Sequence, residues 1–209
     1  MDAQAPPTEL KGIFFQDFNA SFIPHILKEI YLDRVYVPYL MGRKNLTIVD
    51  WGANIGLTAQ YFSNYAQKVY AVEPSARHLT ALRFLINFNK LSNVVVCPYA
   101  ISNVDGTTKF YHNDNVTMYS LKDTVNNKAD FEEVETVTVD TFLKREKISK
   151  VDFLKLDLEG FESEVVTSKG FKDNAEKIQT ILGEWHQWTA MSKPVFQECL
   201  ESYGYTFEW

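Results

Sequence analysis

The chain has 209 residues, 45% of them hydrophobic, and a net charge of −6. Length and apolar content fit one α/β domain with an N-terminal addition, and the acidic balance argues against a nucleic-acid partner. Two cysteines, Cys97 and Cys199, have neither disulfide-framework nor metal-site spacing, which favours a reducing compartment. No apolar stretch reaches the roughly 18 residues of a membrane span, and no secretory signal is seen. We therefore expect a cytoplasmic protein without a membrane partner.

Hydrophobic periodicity predicts alternating strands and helices along the chain. Residues 1–45 are interpreted as a polar lead-in followed by a helical cap. The elements predicted after it are strand 46–51, helix 57–66, strand 69–73, helix 75–89, strands 94–97, 108–111 and 134–139, helix 141–145, strand 151–158, helix 160–169, strand 178–185, helix 193–203 and strand 205–209. Successive strand–helix units predict a parallel sheet, and the irregular segment 112–130 is expected to lie over its edge.

The stretch VDWGANIG, residues 49–56, ends the first predicted strand in a glycine turn. In a dinucleotide-binding turn, G-x-G-x-x-G, the second glycine lets the backbone approach a pyrophosphate, but Asn54 stands at that position here. Asp50 adds an acid that repels phosphate and suits a cationic amino-acid group, and Glu73 is placed to accept hydrogen bonds from a ribose. The pattern indicates S-adenosylmethionine as the cofactor. The alternative is that Asp50 only caps the turn and Glu73 lies in a solvated loop.

A second group of charged residues falls in two later predicted strands. Lys155, Asp157 and Glu159 share one strand face, and Glu184 and His186 alternate at the end of the next strand. Because a central parallel strand is normally apolar on both faces, we interpret these charges as a site. Three readings stay open: an acceptor site in which His186 removes a hydroxyl proton, a divalent-metal site, and a structural salt-bridge network. The ammonium of Lys155 argues against the metal.

Five motifs in this order, VDWGANIG, AVEPSARHLTALRFLINFN, PYAISNVDG, VTVDTF and DFLKLDLEGFE, resemble the FkbM family of S-adenosylmethionine-dependent methyltransferases. The resemblance spans residues 46–186 and implies a Rossmann-like class I methyltransferase domain in residues 46–209. Its sheet would be doubly wound, mostly parallel and seven-stranded, behind the N-terminal helical cap. The implied reaction is O-methylation of a sugar or a secondary-metabolite-like small molecule.

The resemblance also assigns the cofactor contacts residue by residue. The residues placed around the methionine part are Asp50, Gly52, Asn54 and Gly56. Glu73 is placed on the ribose, and Ala100 and Ile101 line the adenine, with Asn103 and Asp105 as weaker candidates. Asp157 is expected to touch both the cofactor and the acceptor. The catalytic candidates are His186, Glu184, Asp157, Glu159 and Lys155.

Two other functions stay open at this point. One is a nicotinamide-dependent oxidoreductase built on the same kind of sheet. The other is a non-catalytic S-adenosylmethionine-binding module, in which Glu73 and the glycine turn would matter but His186 and Glu184 would not. The sequence indicates neither the particular acceptor nor the oligomeric state.

Overall fold

The computed structural model describes residues 23–112, 120–122 and 130–208. The strands are β1 (Leu46–Trp51), β2 (Ala66–Val72), β3 (Val94–Cys97), β4 (Ala100–Ile101), β5 (Gly106–Tyr111), β6 (Phe131–Val137), β7 (Phe153–Leu156) and β8 (Ile181–Gly183). The helices are α1 (Ile23–Leu27), α2 (Val37–Leu40), α3 (Leu57–Phe62), α4 (Ala76–Phe88), α5 (Val139–Arg145), α6 (Glu162–Val166), α7 (Lys169–Lys172) and α8 (Lys193–Glu201). A π-helical turn, Lys28–Asp33, continues α1, and a 3-10 turn, Ala175–Lys177, follows α7.

The main sheet has five parallel strands in the order β3-β2-β1-β7-β8. Its central strand β1 alternates between two cores: Ile48 packs in the core on one face, and Val49 and Trp51 pack in the core on the other. A strand buried on both faces is normally apolar, which explains the hydrophobic residues of β1 and makes the buried Asp50 an exception. The predicted α/β class with a mostly parallel, doubly wound sheet is confirmed.

Helices cover both faces of the main sheet. The first core joins β1 and β7 to α5, α6 and α8 through residues that include Phe142, Val165 and Leu200. The second core joins the sheet to α3, α4 and the N-terminal helices, and it includes Ile30 and Leu40. The N-terminal helices are therefore packed on the sheet, while the division of the chain at residue 45 stays a prediction.

The expected seven-stranded sheet differs from the arrangement among the described residues. β4, β6 and β5 form a separate three-stranded sheet, in which β6 pairs with β4 in parallel and with β5 antiparallel. Pro98 stands directly after β3, and because proline has no backbone N–H, it cannot extend the ladder with β2. The chain leaves the main sheet there, and the next strand pairs with β6 instead.

The strand predicted at 205–209 does not form within the described residues 205–208. Gly204 turns the chain at φ 92°, and the Tyr205 hydroxyl then donates hydrogen bonds to the carbonyls of Ala175 (2.8 Å) and Ile178 (3.0 Å). Phe207 packs against the first core. Side-chain anchoring therefore replaces the strand pairing that the alternating pattern suggested.

Most of the segment 112–130, expected over the sheet edge, lies outside the described residues. Ser120, which is described, pairs with Tyr111 in an isolated antiparallel bridge. No helix within the described ranges has both the length and the apolar character needed to cross a membrane.

Phe153 offers a test of how the N-terminal helices are held. It is fully buried in β7, with Tyr36, Tyr39 and Phe62 within 6.3 Å between ring centroids. Phe153→Ala should lower the free energy of unfolding by about 3–5 kcal/mol, the usual loss for a buried phenylalanine. The matched control is Phe84→Ala, at a ring 49% exposed on α4, which should cost less than about 1 kcal/mol. Urea denaturation measures both, and equal losses would contradict this packing.

Candidate active site

A cavity of 330 Å³ lies at the carboxyl ends of β1, β2 and β7. Its wall includes Gly52 and Asn54 after β1, Glu73 after β2, and Lys155 at the end of β7. The turn that continues α1 contributes Glu29 to the same wall. Ligands of open parallel sheets bind at this edge, so the cavity is the candidate site.

The glycine turn is fixed by a close approach between β1 and β7. Gly52 has φ 83°, and a Cβ built on it would lie 1.9 Å from the carbonyl oxygen of Asp157, so no larger residue fits. Asn54, at φ 49°, also adopts the left-handed region, which asparagine tolerates. Gly56 (φ 94°) begins α3 and does not line the cavity; its missing Cβ leaves room for Leu82 of α4. Gly56 therefore serves packing.

Glu73 is buried and braces the glycine turn. Its Oε2 accepts a hydrogen bond from the Asn54 N–H (2.9 Å), and its Oε1 accepts one from the Ser75 N–H (2.9 Å). His78 Nδ1 lies 3.3 Å from the same Oε1. A carboxylate has about four lone-pair sites, so capacity remains for a ligand hydroxyl. The reading of Glu73 as a solvated loop acid is wrong.

Asp50 lies beneath the cavity, fully buried, and does not line it. Its Oδ2 accepts a 2.6 Å hydrogen bond from the Thr58 hydroxyl, and its Oδ1 lies 3.7 Å from the Nζ of Lys155. Burial raises the pKa of Asp50, while Lys155 and Thr58 act in the opposite direction. The sequence expectation of direct contact with the methionine part is not supported for this residue.

Lys155 holds several groups of the site at one ammonium. Its Nζ donates to Asp157 Oδ2 (2.9 Å) and to the Gly52 carbonyl (3.2 Å). Burial alone would lower the pKa of Lys155, but the negative charges of Asp157 and Asp50 raise it well above its usual value. The ammonium is thus a permanent positive charge that the surrounding acids share.

The β4 side of the cavity is apolar. Ala100 and Ile101 line it, as expected for an adenine slot, together with Tyr99, Phe110 and Leu121. The last three were missed by sequence reasoning, since nothing in their local pattern sets them apart from core residues.

The two weaker candidates for this slot do not line it. Asp105 accepts hydrogen bonds from the Thr138 N–H (2.6 Å) and the Thr141 hydroxyl (2.8 Å), so it fixes the start of α5. Asn103 is exposed. Neither residue belongs to the described cavity wall.

The acidic end of the cavity is formed by Asp157, Glu159 and Glu184. β7 and β8 pair directly, and this brings their carboxyl ends together. However, β7 ends at Leu156 and β8 at Gly183, so these acids follow the strands. The prediction that they occupy strand faces is wrong, because the chain turns sharply through left-handed backbone after β7.

His186 is enclosed by carboxylates and does not line the cavity. Its Nδ1 lies 3.0 Å from Glu162 Oε1, and its Nε2 lies 3.4 Å from Glu159 Oε2 and 3.7 Å from Glu184 Oε2. Burial lowers the pKa of His186, but Glu162 and Glu159 outweigh this effect and raise the pKa to about 9. The raised pKa keeps the proton on His186 at neutral pH, and the residue lies outside the cavity wall. Both features disfavour His186 as the base, and its role stays a prediction.

Glu162, which faces His186 behind the cavity wall, is a further residue that sequence reasoning overlooked. It is fully buried, and its Oε1 accepts hydrogen bonds from the N–H groups of Leu158 (2.8 Å) and Gly160 (3.1 Å) as well as facing His186. The signal was available: an acid in the first turn of a helix, just after a glycine turn, is placed to accept backbone N–H bonds.

The sequence-based metal reading uses Asp157, Glu159, Glu184 and His186 as ligands, but the structure brings a different set together. Among the residues described, Asp157, Glu162 and His186 bring one potential ligand atom each within 4.8 Å of one another, whereas Glu159 and Glu184 are not part of this set. Lys155 already pairs with Asp157, and the proton on His186 already serves Glu162. A divalent ion would have to displace both cations, so the arrangement fits a salt-bridge network better than a metal site.

Comparison with known proteins gives the class to which this site belongs. The family profile described as the methyltransferase FkbM domain matches residues 50–207. The chain therefore belongs to the FkbM methyltransferase family, as its motifs indicated. A comparison with curated protein sequences found no significant match.

Solved structures of methyltransferases resemble this chain at low sequence identity. Methyltransferase FkbM from Methylobacillus flagellatus KT is 18% identical over 63% of this chain, with a TM-score of 0.44. A SAM-dependent methyltransferase from Aquifex aeolicus is 15% identical over 90% (TM-score 0.48), and a putative rRNA-methylase from Clostridium thermocellum is 9% identical over 82% (TM-score 0.49). The matches cover 30%, 89% and 78% of those proteins, so the chain spans less than a third of the FkbM protein.

The contact between Gly52 and Asp157 can be tested with a matched pair of substitutions. Gly52→Ala carries both the cost of a left-handed alanine, about 1–2 kcal/mol, and the clash with the Asp157 carbonyl. Gly42→Ala carries only the first cost, since Gly42 has φ 78° and open space around the added Cβ. We expect Gly52→Ala to lose at least about 2 kcal/mol more in urea denaturation. Equal losses would mean that the two strand ends lie farther apart.

Proposed function

We propose that this protein transfers the methyl group of S-adenosylmethionine to a hydroxyl group of a small molecule. The observation that carries the proposal is the match to the FkbM methyltransferase family over a region whose cavity has an apolar side and an acidic end. A cytoplasmic location and a methyltransferase domain in residues 46–209, behind the N-terminal helical cap, are parts of the same proposal.

The residues at the donor side of the cavity fit S-adenosylmethionine. Glu73 keeps acceptor capacity for ribose hydroxyls, and Ala100 and Ile101 offer an apolar surface for the adenine. Asp157 Oδ1 is buried and has no hydrogen-bond partner within the described residues. An unpaired buried carboxylate oxygen is costly unless a cation or donor reaches it, and the methionine ammonium is such a group.

The glycine turn itself argues against a dinucleotide cofactor. Dinucleotide-binding turns offer backbone N–H groups to a pyrophosphate. Here the N–H groups of Gly52 and Ala53 donate to the Val72 carbonyl, and that of Asn54 donates to Glu73. The Ile55 N–H donates to the Asn54 side chain (2.7 Å). With these donors engaged, we do not favour the nicotinamide-dependent oxidoreductase.

The acidic end of the cavity favours a neutral or cationic acceptor. Glu29, Asp157, Glu159 and Glu184 line the cavity near the Lys155 ammonium. Carboxylates accept hydrogen bonds from hydroxyl groups but repel phosphates, so a saccharide suits this end and a nucleic acid does not. The net charge of −6 acts in the same direction.

Bound S-adenosylmethionine supplies a methyl group on a sulfonium, a leaving group that needs no acid. Catalysis by the chain therefore consists of holding the acceptor in line, excluding water and taking the hydroxyl proton. Asp157 lines the acidic end of the cavity, and the Lys155 ammonium fixes its side chain. The Lys155 contact makes Asp157 an orienting residue.

The donor assignment predicts binding of S-adenosylhomocysteine, the demethylated cofactor. The ligand should raise the melting temperature, and Glu73→Gln should weaken its affinity by about 1–3 kcal/mol, the range for hydrogen bonds to a charged group. Glu133→Gln, at an exposed position of β6, is the matched control and should bind like wild type. Isothermal titration calorimetry measures these affinities.

Two outcomes would contradict the proposal. Stabilisation by a nicotinamide nucleotide but not by S-adenosylhomocysteine would favour the oxidoreductase. The second outcome is a protein that binds S-adenosylmethionine tightly but forms no S-adenosylhomocysteine with any acceptor in a panel of saccharides, phenols and amino alcohols. That result would favour a non-catalytic binding module.

A further inference from the structure

The backbone of Glu159 is held in a conformation that favours glycine. Glu159 has φ 50°, and its carbonyl accepts hydrogen bonds from the Ser120 hydroxyl (2.8 Å) and from the Trp188 Nε1 (3.1 Å). Gly160, which follows at φ 95°, lies so close to the Trp188 ring that an added Cβ would be 2.3 Å from its Cδ1. Left-handed backbone in a non-glycine residue persists where its surroundings enforce it, and it often marks functional sites.

This turn directs the Glu159 side chain to both the cavity and His186. Glu159 lines the cavity, with its side chain 17% exposed, and its Oε2 lies 3.4 Å from His186 Nε2. The other imidazole nitrogen faces Glu162, and the Trp188 ring packs on the imidazole at 4.9 Å between centroids. The imidazole is therefore held by Glu162 and Trp188, and its Nε2 faces Glu159 Oε2 at ion-pair distance.

The other acids of the cavity wall are less suited to accept a proton. Asp157 Oδ2 is already engaged by the Lys155 ammonium at 2.9 Å, so this oxygen is less available to an acceptor hydroxyl. The side chain of Glu184 is 61% exposed, so water screens it, and its contact with His186 is longer, at 3.7 Å, than that of Glu159. Glu159 combines burial with a fixed backbone and a charged neighbour that orients its carboxylate.

We propose that Glu159 is the catalytic residue that accepts the proton of the acceptor hydroxyl, and that His186 and Glu162 are positioning residues for its carboxylate. This assignment rests on the proposed function. In the reaction, the hydroxyl oxygen forms the new bond to the methyl carbon, and the carbon–sulfur bond breaks with its electron pair remaining on sulfur. The hydroxyl proton passes to the Glu159 carboxylate and later to water.

The electrostatics of the turn support this role. The pKa of Glu159 is raised to about 8, mainly by burial and then by the negative charge of Asp157. The positive charge of His186 acts in the opposite direction but is outweighed. A base whose pKa lies near the working pH is effective in proton transfer. The charged groups that act on Glu159 are Asp157, His186, Glu184 and Glu162. Those that act on Glu184 are Asp157, Lys155, His186 and Glu29.

The first test is a pH titration of the cofactor-free protein by NMR, which needs no acceptor. The protein has four histidines, and His186→Asn identifies the Cε1 signal of His186. We expect that signal to remain that of an imidazolium up to pH 8 and to titrate near pH 9. Glu162→Gln should shift the titration to lower pH, because it removes the facing negative charge. Titration of wild-type His186 below pH 7 would overturn the assignment, since the neutral imidazole would then be the base.

The second test uses a series of ring-substituted phenols as acceptors, followed by release of S-adenosylhomocysteine. Glu159→Gln should lower kcat by at least about 10²-fold on the least acidic phenol, and the loss should shrink as the phenol becomes more acidic. The rise of wild-type activity through about pH 8 should also disappear in this variant. The control is Glu176→Gln, at an exposed residue that does not line the cavity, and its kcat and pH profile should match those of the wild type.

The outcomes separate this inference from the proposed function. A Glu159→Gln variant that keeps wild-type kcat and its pH profile would overturn the inference while leaving methyl transfer intact. A wild-type protein that does not bind S-adenosylhomocysteine would overturn the proposed function itself, whatever the titration of His186. Even if no phenol is methylated, the NMR titration decides whether His186 is a protonated neighbour of Glu159, as the inference requires.

Discussion

The site depends on the buried ammonium of Lys155. It joins the turn after β1, through the Gly52 carbonyl, to the turn after β7, through Asp157, and it also faces Asp50 below the cavity. A glycine is needed at position 52 because the two strand ends approach so closely. Removing the ammonium would leave several acids facing one another without a buried countercharge. Such an uncompensated buried charge strongly destabilises the folded state.

The same charge balance explains the separate roles of the acids. Those closest to Lys155 are held as structural and orienting groups, whereas Glu159 lies farther along the turn and is surrounded mainly by other carboxylates. His186 supplies the second positive charge, at the back of this acidic end. The apolar part of the cavity wall, with Ala100 and Ile101, is the surface that we propose for the adenine.

The sequence predicted the features that depend on local pattern. The turn of Gly52 and Asn54, the position of Glu73 and the parallel pairing of the main strands follow from periodicity and from glycine placement. The contact of His186 with Glu162 could not be predicted, because it joins residues 24 positions apart through the left-handed backbone after β7. The separate small sheet follows from Pro98, a signal that was present in the sequence but not used.

A crystal structure of the protein with S-adenosylhomocysteine bound tests the central claim most directly. The account predicts the ribose hydroxyls on Glu73, the adenine beside Ile101, and the homocysteine ammonium within hydrogen-bond distance of Asp157 Oδ1. The sulfur would then point toward Glu159. A nucleoside bound elsewhere, or one seated in this cavity with its sulfur directed away from the acidic end, would contradict the account.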